Sequence, residues 1–389
     1  MENTLIQTPL AVLVTLTAIT SLFFWIEQRT QWKLFNYLPP LIFIYATPTI
    51  LSNTGVLTNT SPVYDWMSAN MLPFLLTVML LKVDVLSTVK VMGRGVLVML
   101  CGTLGIVLGA PLAYLLVKGH LEPTAWKAFG ALAGSWIGGT ANMAAVGEGI
   151  GASGTEFGLA VLGDNMGYLV WLPILLASKK VAEPFNRWAR VDPKRLRLLE
   201  EVGTDISADT EKPAMRHLLY LMFLGFSVTL VATTLAPLLP TYKAVLTTNT
   251  WKVLVVTTVG LLLSLTPARK IPGSQQLGIA LVYLFVANMG ARADLSGLKA
   301  QALWFVLAAY VWIALHGVFC IVSARLLHVD IHSTAIASAA NIGAVLSAPV
   351  VAAHHNPRLV PVSILMALLG YAIGNYGALL AAWLCQLIA

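Results

Sequence analysis

The sequence predicts an all-α fold: a polytopic transmembrane helical bundle of about twelve spans, in two repeat halves that each carry a broken helix. Three observations predict it. Of 389 residues, 58% are hydrophobic and only 11% charged, with a mean hydropathy of +0.79. A soluble domain carries about 25% charged residues. The charge is also unevenly spread, because 178–216 holds 9 Lys/Arg and 7 Asp/Glu of a total of 24 and 17. Finally, two apolar stretches are interrupted by matching small and polar residues, Gly139 to Val146 (GTANMAAV) and Ser338 to Val345 (SAANIGAV).

The apolar spans fall at about 9–26, 36–52, 66–82, 95–117, 125–151, 156–178, 217–239, 250–267, 276–291, 302–327, 333–354 and 359–388. Helices satisfy their own backbone in lipid, and no span shows the ten-residue alternation of a membrane β-barrel. The first span ends at Glu27 without a small-residue cleavage pattern, so it reads as a retained helix. Cys101, Cys320 and Cys385 sit in apolar runs without metal-ligand spacing and read as core residues. The net charge of +7 does not point to nucleic acid, since the basic residues flank apolar spans or sit beside acids. The organisation read from this is an N-terminal helix and loop (1–35), a first repeat (36–178), a polar connector (179–216), a linking helix (217–249) and a second repeat (250–389).

The repeats rest on three matches in one order. Asn142 pairs with Asn341 in the interrupted spans. Leu86 to Lys90 resembles Leu295 to Lys299, and Gly167-Tyr168 resembles Gly370-Tyr371. Five spans separate the two interrupted ones. If every span crosses, the halves are parallel, whereas inverted halves need an odd number of crossings between equivalent helices. Alternating twelve spans does not fix the orientation from the Lys/Arg distribution.

Duplicated halves with interrupted helices point to a secondary transporter, because broken helices expose backbone groups at mid-membrane. The competing reading is close helix packing by small residues. Asp164 is the sharpest candidate, an acid in the middle of an apolar span. Such a residue costs at least about 2.5–3.5 kcal/mol on insertion scales. A protonated, purely structural Asp164 is the alternative. Asn165 beside it, with Asn142 and Asn341 at the interruptions, completes a candidate cation-binding set, since amide oxygens coordinate Na⁺. The amides could instead only repair the helix breaks. Ser135, Gly138, Gly139, Thr140 and Ser338 line the interruptions and, with Glu148 beyond the first, are candidate substrate contacts. Glu148 reads as a vestibule or interface residue, His316 as a hydrogen-bonded packing residue, and Arg292 and Lys82 as snorkelling residues. No H-E-x-x-H, G-x-S-x-G or Walker A motif is present, which argues against an enzyme and against ATP-driven transport. Asp65 and Asp164 only faintly echo an intramembrane aspartyl protease.

The combination of Ser135-Trp136-Ile137-Gly138-Gly139 with Asn142, Asp164-Asn165, Ala340-Asn341-Ile342-Gly343 and Leu369 to Gly374 resembles the YjcL-like membrane proteins over nearly the whole chain. That resemblance implies membership of the cation:proton antiporter and anion transporter clan. With it come two crossed broken helices in a core domain, a separate panel, an elevator-like movement and homodimers. It also implies a cation site after the first broken helix, where Asp164-Asn165 stand in reverse of the common Asn-Asp order.

The expected function is thus a Na⁺- or H⁺-coupled secondary transporter of a small organic solute, with an anionic one among the candidates. The alternatives are a monovalent cation/proton antiporter, and a non-transporting scaffold acting through loop 179–216. No cofactor is expected beyond Na⁺ or H⁺ as coupling ion. The expected partners are membrane lipid, the solute and a second copy of the chain. The expected location is the bacterial cytoplasmic membrane.

Overall fold

The computed structural model describes residues 4–30, 35, 40–84, 88, 93–192, 212–242 and 245–389. The amphipathic run 193–201 of the polar connector and the repeat match at Leu86 lie outside the described residues. Fourteen principal helices follow one another: α1 (Pro9–Thr30), α2 (Pro40–Asn53), α3 (Pro62–Leu80), α4 (Arg94–Val117), α5 (Trp126–Gly138), α6 (Thr140–Gly149), α7 (Gly154–Ala177), α8 (Met215–Leu235), α9 (Thr248–Ser264), α10 (Ser274–Ala291), α11 (Leu295–Leu327), α12 (Ile331–Ile342), α13 (Ala344–His355) and α14 (Val360–Leu387). The chain is an all-α membrane protein. Among the described residues, seven helical stretches are long and apolar enough to cross a membrane, built on α1, α3, α4, α7, α8, α11 and α14. Leu104, Leu108, Leu112 and Leu115 form an exposed apolar stripe on α4, facing where lipid would lie.

The two interrupted spans do not cross. Each turns back on itself. In the first, Lys127 at the start of α5 donates to the Gly151 carbonyl just beyond α6, at 2.8 Å. Midway, a Cβ at Gly134 would meet the Asn142 and Met143 backbone, so glycine lets the two arms touch. In the second, His332 and His355 at the outer ends of α12 and α13 lie 2.9 Å apart through their Nδ1 atoms. Nearer the tip, the Ser347 hydroxyl donates to the Ala339 carbonyl at 3.1 Å. Both are re-entrant helical hairpins, not the crossed broken helices that the resemblance implied. A Gly-rich break reads identically in sequence whether the chain continues or reverses.

This settles the parity. Lys118 at the end of α4 donates to the Ile388 carbonyl at the end of α14, and the amide of Glu122 donates to Gln301 early in α11. Asn53 at the end of α2 donates to the Ala293 carbonyl just past α10, and Thr247 before α9 donates to the Gly149 carbonyl. These contacts define one face. On the opposite face, Arg94 reaches the Leu327 carbonyl, Arg269 pairs with Asp84 at 2.9 Å, and Lys179 reaches the His354 carbonyl. The polar connector leaves from that second face, called the linker face below. Five helices that run from one face of the bundle to the other, α7 to α11, then separate the hairpins. The α5–α6 hairpin enters from the face opposite the linker, and the α12–α13 hairpin enters from the linker face. The halves are inverted.

The contacts of the outer helices follow the same symmetry. Helix α2 packs on α10 as α9 packs on α3, and α1 packs on α2 as α8 packs on α9. The inverted unit therefore takes in α1 and α8 as well. Helices α1–α3 and α8–α10 make a frame, and the hairpins pack with α4, α7, α11 and α14 in a core.

Candidate functional site

The hairpin tips meet near the middle of the bundle. The first tip turns at Gly139, at φ 80° and ψ 179°, a backbone conformation open essentially to glycine alone. The second turns at Gly343 and Ala344, and Ala344 holds a positive φ of 48°. A Cβ on Gly139 would stand 3.0 Å from that of Ala344.

Beside the tips runs α7. A capping box starts it: Ser153 accepts from the Glu156 amide while Glu156 accepts from the Ser153 amide. That register puts Asp164 and, one turn on, Tyr168 on the face toward the tips. Both line a cavity of about 690 Å³. Its floor is made by Ser135, Gly139 and Thr140 of the first hairpin and by Gly343 and Ala344 of the second. Its walls come from the core on one side, with Tyr371 of α14, and from the frame on the other, with Glu27, Met79 and Tyr283. The cavity extends past Pro40, Leu172 and Leu176 toward the linker face.

Asp164 Oδ1 is buried and has no hydrogen-bond partner, although Ser135 and Trp136 lie alongside. Trp136 Nε1 is likewise unpartnered and sealed against Trp312, with ring centroids 4.7 Å apart. An unpaired buried acceptor is costly, and it is the kind of orphan that a bound cation or proton would satisfy. Ser135 Oγ and Asn165 could supply further oxygens. The Asn165 Nδ2 is already donated to the Val161 carbonyl at 2.7 Å, which leaves its oxygen for the cavity. Among the described residues no group of three His, Cys, Asp or Glu could hold a transition metal.

Of the residues singled out in the sequence, Ser135, Gly139, Thr140, Asp164 and Asn165 come together on this cavity. The others stand elsewhere. Asn142 and Asn341 lie behind the tips, where each donates Nδ2 to a backbone carbonyl at 3.1 Å, of Tyr371 and Met99 respectively. They also sit on opposite arms, because the first hairpin turns before Asn142 and the second after Asn341. Gly138 packs against the Asn142 amide. Ser338 bridges His316 Nε2 and Trp171 Nε1, each at 2.9 Å, while His316 Nδ1 meets the Gly102 carbonyl. That network satisfies both ring nitrogens, so His316 is a packing residue. Glu148 faces a second cavity, of about 230 Å³, at the opposite face with Asp65, Ser68 and Lys252. There it lies 3.8 Å from Arg292, which also donates to Ser68, so Arg292 bridges helices instead of snorkelling.

Glu27, Tyr168, Tyr283 and Tyr371 were not singled out as site residues. The matched dipeptides Gly167-Tyr168 and Gly370-Tyr371 carried a signal for two of them. They are equivalent residues of the two halves that converge on one cavity.

Among the described residues, seven stretches fit to cross a membrane, two opposed re-entrant hairpins and a carboxylate at their junction define a multi-pass integral membrane protein. The family model described as "Protein of unknown function (DUF819)" matches residues 14–387, and the chain belongs to that family. It is similar to the "Uncharacterized membrane protein YjcL" of Bacillus subtilis (strain 168), at 27% identity over 375 residues and 92% of each chain.

Proposed function

We propose that this protein is a secondary active transporter that carries a small organic solute in exchange for, or together with, a coupling cation bound at Asp164. The observation that carries the reading is the convergence of two inverted hairpin tips on a carboxyl group whose buried Oδ1 has no hydrogen-bond partner, in a cavity that extends toward the linker face. Alternating access needs such a site, shared between symmetric halves and open to one side at a time. The cavity lies between core and frame, so a sliding of the core against the frame would carry the tips toward the other face. The smaller cavity around Glu148 marks the same boundary on that face.

The linker face is assigned to the cytoplasm. Among the described residues, thirteen Lys and Arg lie on it, whereas the opposite face has five: Lys118, Lys127, Lys252, Arg292 and Lys299. The positive-inside rule then places the linker inside and makes this an inward-facing state. A bacterial cytoplasmic membrane and a homodimer fit this reading. The test is flux in proteoliposomes under an imposed Na⁺ or H⁺ gradient, compared between wild type and Asp164→Asn. Flux that depends on the gradient in wild type and vanishes in the variant supports the proposal. Equal leak in both overturns it.

A monovalent cation/proton antiporter is the second reading, since Asp164 alone could exchange the two ions. The size of the cavity favours an organic solute, for it lies in the range of about 300–1,000 Å³ that holds small-molecule ligands.

A further inference from the structure

The charge of the cavity narrows its solute. Among the described residues on its wall, the side chains of Glu27 and Asp164 are carboxyl groups, and none is Lys, Arg or His. The hairpins do not offset this. Each tip joins the negative C-terminal end of one arm to the positive N-terminal end of the next, so the half-charges oppose one another. An anionic solute would meet two carboxylates and no counter-charge, and burying an unpaired charge is strongly unfavourable. Aromatic rings surround the remaining space: Phe35, Tyr168, Tyr283 and Tyr371, from three different frame and core helices and the segment after α1. Ring faces attract ammonium groups, by about 0.5–1 kcal/mol each when exposed and about 2 when desolvated. The rest of the lining is Leu, Ile, Val, Met and Pro, with few polar groups.

We infer that the solute is a monovalent organic cation with an apolar body, an alkyl- or arylammonium, held by Asp164 at the hairpin tips and by the surrounding aromatic rings. This rests on the transporter reading above and replaces its anionic option. The other titratable groups facing the cavity are Glu27 and Tyr283 of the frame, Tyr168 beside Asp164, and Tyr371 of the core. Glu27 stands toward the linker face, so Asp164 is the one carboxylate at the tips. It holds either a proton or the ammonium group. Binding of the cation displaces one proton, and the expected cycle is a one-for-one exchange.

The test uses the purified full-length protein with three matched probes: 2-phenylethylammonium, neutral 2-phenylethanol and anionic 3-phenylpropionate. Thermal stability in detergent reports binding. Flux into proteoliposomes holding a trapped pH dye reports exchange. The ammonium probe is expected to stabilise wild type at concentrations at least tenfold below the alcohol, and to drive protons the opposite way. Both effects are lost in Asp164→Asn and kept in Asp164→Glu. Tyr168→Leu weakens the ammonium effect severalfold while Tyr168→Phe keeps it, which guards against a misfolded Asp164 variant. Preference for phenylpropionate overturns the inference and leaves a transporter. Na⁺/H⁺ exchange at Asp164 with no response to any organic probe also overturns it, and leaves the antiporter. No binding and no flux with any probe or ion overturns both this inference and the transport reading.

Discussion

Gly139 and Ala344 face each other at the centre of the bundle, each at the tip of a hairpin that entered from the opposite side of the membrane. The pairing sets a turn open only to glycine against an alanine held at positive φ.

Substituting Gly139 tests that geometry. Gly139→Ala puts a side chain at φ 80° and ψ 179°, and directly against Ala344. Such backbone costs about 1–3 kcal/mol for a residue other than glycine. The variant should melt several degrees lower and lose flux. Ala344→Gly relieves a positive φ and should melt no lower than wild type. Thermal melts of both variants in one detergent decide the matter, and equal melting of Gly139→Ala and wild type would contradict the described tip.

Asp164→Asn should leave the fold intact. The carboxylate Oδ1 has no hydrogen-bond partner, so its replacement by a neutral amide breaks none at that atom. The variant should melt at or above the wild-type temperature while its response to coupling cations disappears. In wild type, cation binding should weaken as pH falls, because protons compete for the same carboxylate. A cation-induced shift in melting that is the same in the variant would place the site elsewhere.

Hairpins and crossing helices label differently. In a variant lacking Cys101, Cys320 and Cys385, single cysteines at Thr124 and Ser153 should react with an impermeant thiol reagent from the same side of the membrane. Those at His328 and Pro357 should both react from the other side. A broken helix that crosses would split either pair between the two sides.

Glu148 on the first hairpin meets Arg292, just past the end of frame helix α10, at 3.8 Å, so the pair ties the core to the frame. Both side chains are partly exposed, and such a pair contributes about 1 kcal/mol or less. Glu148→Gln should change the transport rate severalfold while cation binding at Asp164, read by melting, stays as in wild type. A parallel loss of binding would mean that Glu148 belongs to the site.

The polar connector gives the last test. Removing 192–211 should leave flux unchanged if the chain is a transporter, because the cavity and both hairpins lie outside that segment. Loss of function with the fold and cation binding retained would favour the scaffold reading.

Composition and local pattern determined much of this protein without any coordinates. An apolar content of 58% with 11% charge leaves only a helical membrane bundle. An acid in the middle of an apolar span marks Asp164 wherever that span packs. The dipeptide match between Gly167-Tyr168 and Gly370-Tyr371 already tied together two residues that share the cavity. Tertiary structure alone decided what the two interruptions do. The stretch Gly138-Gly139-Thr140 permits a break, but the direction of the chain after it depends on partners far from the break. Lys127 must reach Gly151, and His332 must reach His355. Those contacts turn two apparent crossings into hairpins and two parallel halves into inverted ones. The same folding withdrew Asn142 and Asn341 from the site, since each amide had a backbone carbonyl of a neighbouring helix within reach. A side chain's type limits which bonds it can form, and the packing around it selects the one it makes.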